Sequence, residues 1–458
     1  MGNYSTGCEA QPKEKEQHPE KSPGSGVSAL SAKELLRMGK HGDPELMERM
    51  TACLNQAAGE IRPADAEVMQ RAKERERSLA KVPGSLGKLE NIAVKIAGIT
   101  GKAYGNPLKR QAILLMSADH GVTAEGVASA PQTVTTCQTI NFTRRITGVG
   151  SLAKYFGIDL LVTDLGMRIP APPEYYTDQM LTENGTVTQK IVNRRIAAGT
   201  GNLLKEPAMS REQVLRAVLT GIEASDAAAD AGMQLLGVGE MGIGNTTPSS
   251  ALLCCLTDLP PEELVGRGGG LNDEGLKRKT EVVEEASSRC CREADENLRS
   301  FLSAAKGNPV RPLPDFREEA RIDAVLELLR QIGGFEIAAM TGAYLGSAGR
   351  RIPTVVDGFI SAAAALAACE MVPETADYLF ASHCSTEPGY LAAVSAMGLQ
   401  PALDLQMRLG EGSGCPLMFK IMEGACASMD LMGTLEDGQI DSGYLDRMTG
   451  HDYTGGAD

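Results

Sequence analysis

Tryptophan is absent from this 458-residue chain, aromatic residues make up only 4%, and there are five histidines. So few aromatic faces exclude a stacking platform for single-stranded nucleic acid. Positive charge is also short, with 45 Lys+Arg against 59 Asp+Glu and a formal net charge of −14. That balance argues against a duplex nucleic-acid binder, which needs a basic footprint, and against docking on an anionic membrane surface. No apolar run reaches the roughly 18–20 residues that span a bilayer, and no secretory apolar segment opens the chain. The start, Met1-Gly-Asn-Tyr-Ser-Thr6, fits the loose myristoylation pattern but lacks the basic second signal that stable anchoring needs. Eleven cysteines, including the adjacent pairs Cys254-Cys255 and Cys290-Cys291, show no Cys-x-x-Cys spacing. They are not a disulfide framework, and a reduced, cytoplasmic setting is the expectation.

What is abundant is glycine, 51 residues against 23 prolines, in a chain that is 42% hydrophobic. Such a chain is long enough for two or three domains, or for one large α/β domain with appendages. Residues 1–30 are polar and read as a disordered tail. Helical signals begin near Ser31, at Asp43-Pro44 and over residues 63–81, and restart at Lys88 after Pro83-Gly84. From Ala112 the pattern changes to short continuous apolar runs, at 112–116, 158–162, 234–238, 353–356 and 378–381, with a weaker one at 401–405. Helical stretches lie between them, over 213–230, 277–292, 323–331 and 361–369. Buried strands alternating with helices predict a mostly parallel sheet covered on both faces, with the ligand crevice at the carboxyl ends of the strands.

The runs end in polar or small residues. The densest such segment is Gly237-Val-Gly-Glu-Met-Gly-Ile-Gly-Asn-Thr-Thr-Pro-Ser-Ser250, which leads into a helix predicted over 249–256, with Thr247 as its cap and Pro248 in its first turn. A glycine-rich strand-to-helix turn can hold phosphate on backbone N–H groups. It contains Gly237-x-Gly239-x-x-Gly242, a formal dinucleotide fingerprint without a clearly placed acidic partner, so an oxidoreductase reading rests on that match alone. Glu411, between glycines in Met407-Arg-Leu-Gly-Glu-Gly-Ser-Gly-Cys415, reads either as a carboxylate facing a cleft or as an exposed loop residue at a helix N-terminus. His120 in Ala118-Asp-His-Gly121 reads as a hydrogen-bonded histidine at a strand end, because no His-x-x-x-His or His-Glu-x-x-His accompanies it. Ser382-His383 lacks the Gly-x-Ser-x-Gly elbow of a hydrolase triad, and no Gly-x-x-x-x-Gly-Lys-[Ser/Thr] loop is present. Together these leave a single phosphate, handled without metal, as the reading of the site.

Taken in order, Pro83-Gly-Ser-Leu-Gly-Lys-Leu-Glu90, Ala118-Asp-His-Gly-Val122, Gly239-Glu-Met-Gly-Ile-Gly-Asn-Thr-Thr247, Gly334-Phe-Glu-Ile-Ala-Ala-Met-Thr-Gly-Ala-Tyr-Leu345, Val356-Asp-Gly-Phe-Ile360, Ala381-Ser-His-Cys-Ser385 and Arg408-Leu-Gly-Glu-Gly-Ser-Gly414 resemble the nicotinate-nucleotide–dimethylbenzimidazole phosphoribosyltransferase family. The resemblance covers about residues 60–435. It implies an α/β fold with a Rossmann-like, mostly parallel sheet and helices on both faces, plus a small helical domain formed from both chain ends. The corresponding boundaries are a variable tail over 1–40, the first part of the small domain over 41–105, the large catalytic domain over 106–415, and a returning helical part over 416–458. It also implies a homodimer whose partners are small-molecule substrates: nicotinate mononucleotide and a lower-ligand base, giving an α-linked ribazole 5′-phosphate and nicotinate.

Residue by residue, the resemblance places Glu411 as the general base. It places Glu240, Gly242, Gly244, Asn245, Thr246 and Lys279, with Asp357, Gly358, Ser382, His383, Arg408, Gly410 and Gly412, on segments that bind the nucleotide or its phosphate. Gln138 and Ala130 fall at the base pocket. Many members of the family carry a serine or a bulkier residue where Ala130 stands, so dimethylbenzimidazole is the default base, and another benzimidazole, a purine or a phenol is the alternative. A relative that senses the nucleotide without turning it over is the rival of another class. No cofactor is called for, because cleavage releases nicotinate as a ring with a neutral nitrogen.

Overall fold

The computed structural model describes residues 30–38, 42–305, 316–441 and 443. The tail expected over the first thirty residues, its acylation pattern included, lies outside them up to residue 29. Among the described residues seven strands form one sheet: β1 (Gln111–Ala118), β2 (Asp159–Gly166), β3 (Tyr176–Thr177), β4 (Ile191–Asn193), β5 (Leu235–Met241), β6 (Thr354–Val356) and β7 (Leu379–Ala381). Their order is β3-β4-β2-β1-β5-β6-β7, and every pairing is parallel. All eight residues of β1 are buried, as expected of a strand with helices on both faces. From β1 the chain crosses to β2 on one side, and from β5 it proceeds to β6 and β7 on the other. The strand order therefore reverses between β1 and β5, the place where a parallel sheet of this kind forms its ligand crevice at the carboxyl ends.

One face of the sheet is covered by the helices Arg211–Asp230, Phe335–Gly349 and Phe359–Met371, the other by Thr133–Thr143, Gly148–Phe156 and Cys415–Leu431. The first two of these cross with almost no space between backbones. A Cβ on Gly221 would lie 1.8 Å from the Ala339 carbonyl oxygen, and one on Gly342 would lie 1.9 Å from that of Val218. Neither neighbour is a movable side chain, so Gly221→Ala should lower the unfolding free energy by about 3 kcal/mol, the upper end of the usual overpacking range. A denaturant midpoint equal to that of the unsubstituted protein would show that the helices have room to separate. Near the chain start, Ala32–Arg37 and Pro44–Gly59 pack on Arg211–Asp230, with Ser31 and Asp43 as side-chain caps. Ala66–Ser78 packs on Lys88–Thr100, which meets Cys415–Leu431 from the other end of the chain.

Three sequence expectations need correction. Residues 401–405 are not a strand; a single bridge between His383 and Leu403 is formed there, because Pro401 has no N–H to give a ladder and Gln406 turns to a φ of +52°. The helix after the glycine-rich turn begins earlier than expected, at Thr246, with Asn245 in the cap position; Thr247 lies inside it with a buried hydroxyl, and Pro248 is its third residue. The glycines of the formal fingerprint do not form a pyrophosphate turn. Gly237 and Gly239 lie within β5 and share one face, and a Cβ there would strike Cys415 at 2.7 Å and the Gly412 nitrogen at 2.5 Å. They admit the 410–414 turn onto the strand, which removes the basis for a dinucleotide oxidoreductase. The strands β3 and β4 have no counterpart among the apolar runs, since two and three residues are too short to show a period.

Candidate active site

The crevice is framed by the residues at the carboxyl ends of four strands: Asp119-His120 after β1, Glu240 near the end of β5, Asp357-Gly358 after β6 and Ser382-His383 after β7. The 410–414 turn closes over it. Gly410, Glu411 and Gly412 have φ of +76°, +60° and +75°, three successive left-handed residues, of which only Glu411 carries a Cβ. A side chain held in that region costs on the order of 1–3 kcal/mol and persists only where surroundings enforce it. Here they do. The Gly412 and Gly414 nitrogens donate to the Asp357 carboxylate at 2.9 and 2.7 Å, and the Glu411 nitrogen donates to Glu240 Oε1 at 3.3 Å. A Cβ at Gly410 would stand 2.7 Å from that same oxygen.

So held, Glu411 turns inward and is 6% exposed, which rules out the exposed-loop alternative. Its Oε1 accepts a bond from Gln138 Nε2 at 2.7 Å, while Oε2 is buried without a partner. Burial raises its pKa, and the Gln138 bond opposes that rise. Glu240 is pushed up to about 8 by burial, against the bonds from the Glu411 nitrogen and from Asn245 Nδ2, the latter 2.5 Å long. It is therefore mostly a neutral acid at pH 7. Asp357, raised to about 7 by burial, accepts one backbone bond from the turn on each oxygen and so holds Glu411 in place. Ser382 donates to the Asp357 carbonyl oxygen at 3.0 Å and pairs with His383 Nδ1 at 2.9 Å. His383 is kept neutral by burial, which lowers its pKa, and its Nε2 has no partner.

A second cluster lies at the start of the Thr246–Thr257 helix. Lys279, fully buried, comes from the Asp273–Glu293 helix and donates to Thr246 Oγ1 and to the Gly266 carbonyl oxygen, both at 2.8 Å. An ammonium has three donors, so one remains. Burial lowers its pKa to about 8, with Glu387 resisting. Gly358, in the cap position of Phe359–Met371, is buried, yet a Cβ there would touch nothing within 4 Å. Gly242 is pressed onto the Ala118 carbonyl oxygen, 2.6 Å from a built Cβ, and Gly244 has a φ of +94°. The start of the Thr246–Thr257 helix, a spare ammonium proton and bare backbone are groups that can hold an anion. Arg408 is exposed, just before the turn that carries Glu411. Ala130 is half-buried in the loop that precedes the Gln138 helix.

The 266–270 loop and Glu336 are not among the residues that the sequence singles out for the site, while His120 is the hydrogen-bonded strand-end histidine expected. The loop Gly266-Arg-Gly-Gly-Gly270 lies against Thr246 and Lys279; a Cβ at Gly268 would be 3.0 Å from Thr246 Oγ1 and 3.7 Å from Lys279 Nζ. Its glycine run just before the Asn272 cap is the available signal. His120 Nε2 meets Glu336 Oε1 at 2.6 Å, both groups fully buried. Burial alone would lower the His120 pKa, but Glu336, Asp119 and Glu240 raise it on balance. The lone carboxylate in the apolar stretch Phe335-Glu-Ile-Ala-Ala339 is the hint for Glu336.

A family model described as phosphoribosyltransferase matches residues 61–309 and 312–440. A nicotinate-nucleotide–dimethylbenzimidazole phosphoribosyltransferase of Clostridium perfringens is 41% identical over 393 residues, 86% of this chain and 97% of that protein. Another of that name from Chloroflexus aurantiacus is 37% identical over 394 residues, 86% and 99% of the two chains. The crystal structure of the enzyme so named from Thermus thermophilus superposes with a TM-score of 0.68 at 34% identity, covering 82% of this chain and 99% of the other. With matches of this extent, and with its motifs assembled around one crevice, the chain belongs to the nicotinate-nucleotide–dimethylbenzimidazole phosphoribosyltransferase family.

Proposed function

We propose that this enzyme moves the phosphoribosyl group of nicotinate mononucleotide onto 5,6-dimethylbenzimidazole or a similar base, giving α-ribazole 5′-phosphate and nicotinate. One observation carries the reading: Glu411, forced into a left-handed turn, presents a buried oxygen without a protein partner beside Gln138. The anion cradle at Thr246, Lys279 and the neighbouring glycines takes the 5′-phosphate. Nicotinate leaves from a pyridinium, so its ring departs with a neutral nitrogen and needs no electrophilic help. The incoming azole attacks the anomeric carbon from the opposite face with one nitrogen, which inverts β to α. As that bond forms, the second azole nitrogen becomes acidic, and Glu411 takes its proton, a role worth roughly 10²–10⁴-fold. An ionised Glu411 beside the reacting carbon also favours the pyridinium and the sugar cation that develops in the transition state.

Intact Glu411 and Glu240 favour turnover over mere sensing of the nucleotide, since a sensor has no need of a proton acceptor. The resemblance supports a cytoplasmic homodimer, and sedimentation equilibrium of the full chain tests the dimer. Mass spectrometry of products from purified protein, nicotinate mononucleotide and a panel of competing bases tests the reaction. No ribosylated base from any of them would reject it. Ala130, lacking a hydroxyl, supports tolerance of bases other than dimethylbenzimidazole.

The ionisable groups of the crevice give two pH effects. Lys279 is charged below about pH 8 and loses its charge above, while Glu240 gains a negative charge over the same range. Both changes oppose a phosphate, so KM for nicotinate mononucleotide should rise as pH passes 8; a flat KM from pH 7 to 9 would separate Lys279 from the phosphate. Gln138→Leu removes the bond that restrains the Glu411 pKa, so the acid limb of the rate profile should move to higher pH. An unmoved limb would mean that the bond does not persist in the working complex.

A further inference from the structure

Thr135 is fully buried on the Thr133–Thr143 helix, one turn before Gln138. Its hydroxyl makes two bonds to two different parts of the crevice. Oγ1 donates to Asp119 Oδ1 at 2.7 Å, and the Ile243 backbone nitrogen donates to Oγ1 at 3.1 Å. Ile243 belongs to the glycine-rich turn between β5 and the Thr246–Thr257 helix, the turn that shapes the phosphate cradle. Asp119 is itself fully buried and takes a second bond on Oδ2 from the Arg168 nitrogen, 2.7 Å long.

The direction of these bonds is determined by elementary chemistry. A hydroxyl has one proton, and an ionised carboxylate can only accept. Asp119 therefore claims the Thr135 proton, which leaves the oxygen lone pairs for the Ile243 N–H. The Ile243 N–H can only donate, so Thr135 Oγ1 is always the acceptor of that bond. From the same helix Gln138 donates to Glu411. The helix is thereby tied at one point to the phosphate turn and, one turn on, to the carboxylate that receives the proton.

We propose that Thr135, oriented by Asp119, is a positioning residue that holds the phosphate turn and the Gln138–Glu411 pair in one register. It touches no substrate; it sets the distance between the bound phosphoribosyl group and the acceptor base. This rests on the reaction proposed above, and the two fail separately. A wild-type enzyme that makes no ribosylated base sinks that reaction, whereas an active wild type with an indifferent Thr135 variant sinks only the present inference.

The test compares Thr135→Val, which keeps the shape and loses both bonds, with Thr135→Ser, which keeps the hydroxyl. Kinetics are measured on the full-length protein with nicotinate mononucleotide and dimethylbenzimidazole. Thr135→Val should raise KM for the nucleotide about tenfold, lower kcat about tenfold, and move the acid limb of the rate profile, since Glu411 loses its fixed partner. Thr135→Ser should restore all three to within about twofold. A merely structural role would lower the thermal midpoint and the active fraction while leaving the pH limb and KM of the active molecules in place. That result overturns the inference, as does a serine variant no better than valine. Should Thr135→Val not fold, hydrogen exchange of the unsubstituted protein decides: slow exchange at the Ile243 amide supports the bond, and exchange at the unprotected rate overturns it.

Discussion

Glu411→Gln should lower kcat at least a hundredfold while KM for both substrates stays within about twofold. The substitution preserves shape, and a glutamine oxygen can still accept from Gln138 Nε2, so the left-handed turn has no new reason to move. What disappears is the proton acceptor, a loss expected in kcat and kcat/KM together, because its interaction develops only in the transition state. Stability should move the other way. Burial raises the Glu411 pKa above that of the unfolded chain. A group with a raised folded pKa contributes fully below its unfolded value and loses that contribution as pH rises through its folded value. The glutamine variant has no such loss, so its margin of stability over the wild type should widen with rising pH. Thermal melts between pH 5 and 8 measure this, and single-turnover product formation measures the chemistry. A near-wild-type rate would dismiss Glu411 as the base.

The second large effect concerns Lys279→Ala, expected to raise KM for nicotinate mononucleotide thirtyfold or more with a smaller change in KM for the base. Losing a buried charged partner of a hydrogen-bonded pair costs about 2–5 kcal/mol, and thirtyfold is the lower end of that range. Arginine should not rescue it. Lys279 has no solvent exposure and its Nζ donates to Thr246 Oγ1 and the Gly266 carbonyl oxygen, two single acceptors that match a compact ammonium and not the planar fork of a longer guanidinium side chain. Isothermal titration with the nucleotide alone separates binding from turnover. Equal affinity in the alanine variant would remove Lys279 from the phosphate cradle.

Much of the fold is legible in the sequence because its signal is local. The runs at 112–116, 158–162 and 234–238 are apolar on both faces, and that condition is met only between two layers of helix, hence β1, β2 and β5. Asp43-Pro44 and Ser31 announce their helices because a cap acts within three residues. The run at 401–405 misleads because apolarity says nothing about a ladder partner, and there only one bridge forms. The glycines at 237 and 239 mislead for a related reason. A missing Cβ reads the same in a phosphate turn as under a loop that packs from far along the chain.

The sequence alone determined the alternation of strands and helices, the carboxyl-end polar segments and, through their order, the family, because each depends on neighbours within a few residues. Only the tertiary structure decided what the site carboxylates do. Glu411 became a buried acceptor through Gln138, 273 positions away, and through Asp357, which grips the turn just after it, at Gly412 and Gly414. Asp119 and Thr135 acquired a direction of hydrogen bonding only when Ile243 came beside them. Burial and partner choice are properties of groups brought together from distant parts of the chain, and no local pattern specifies them.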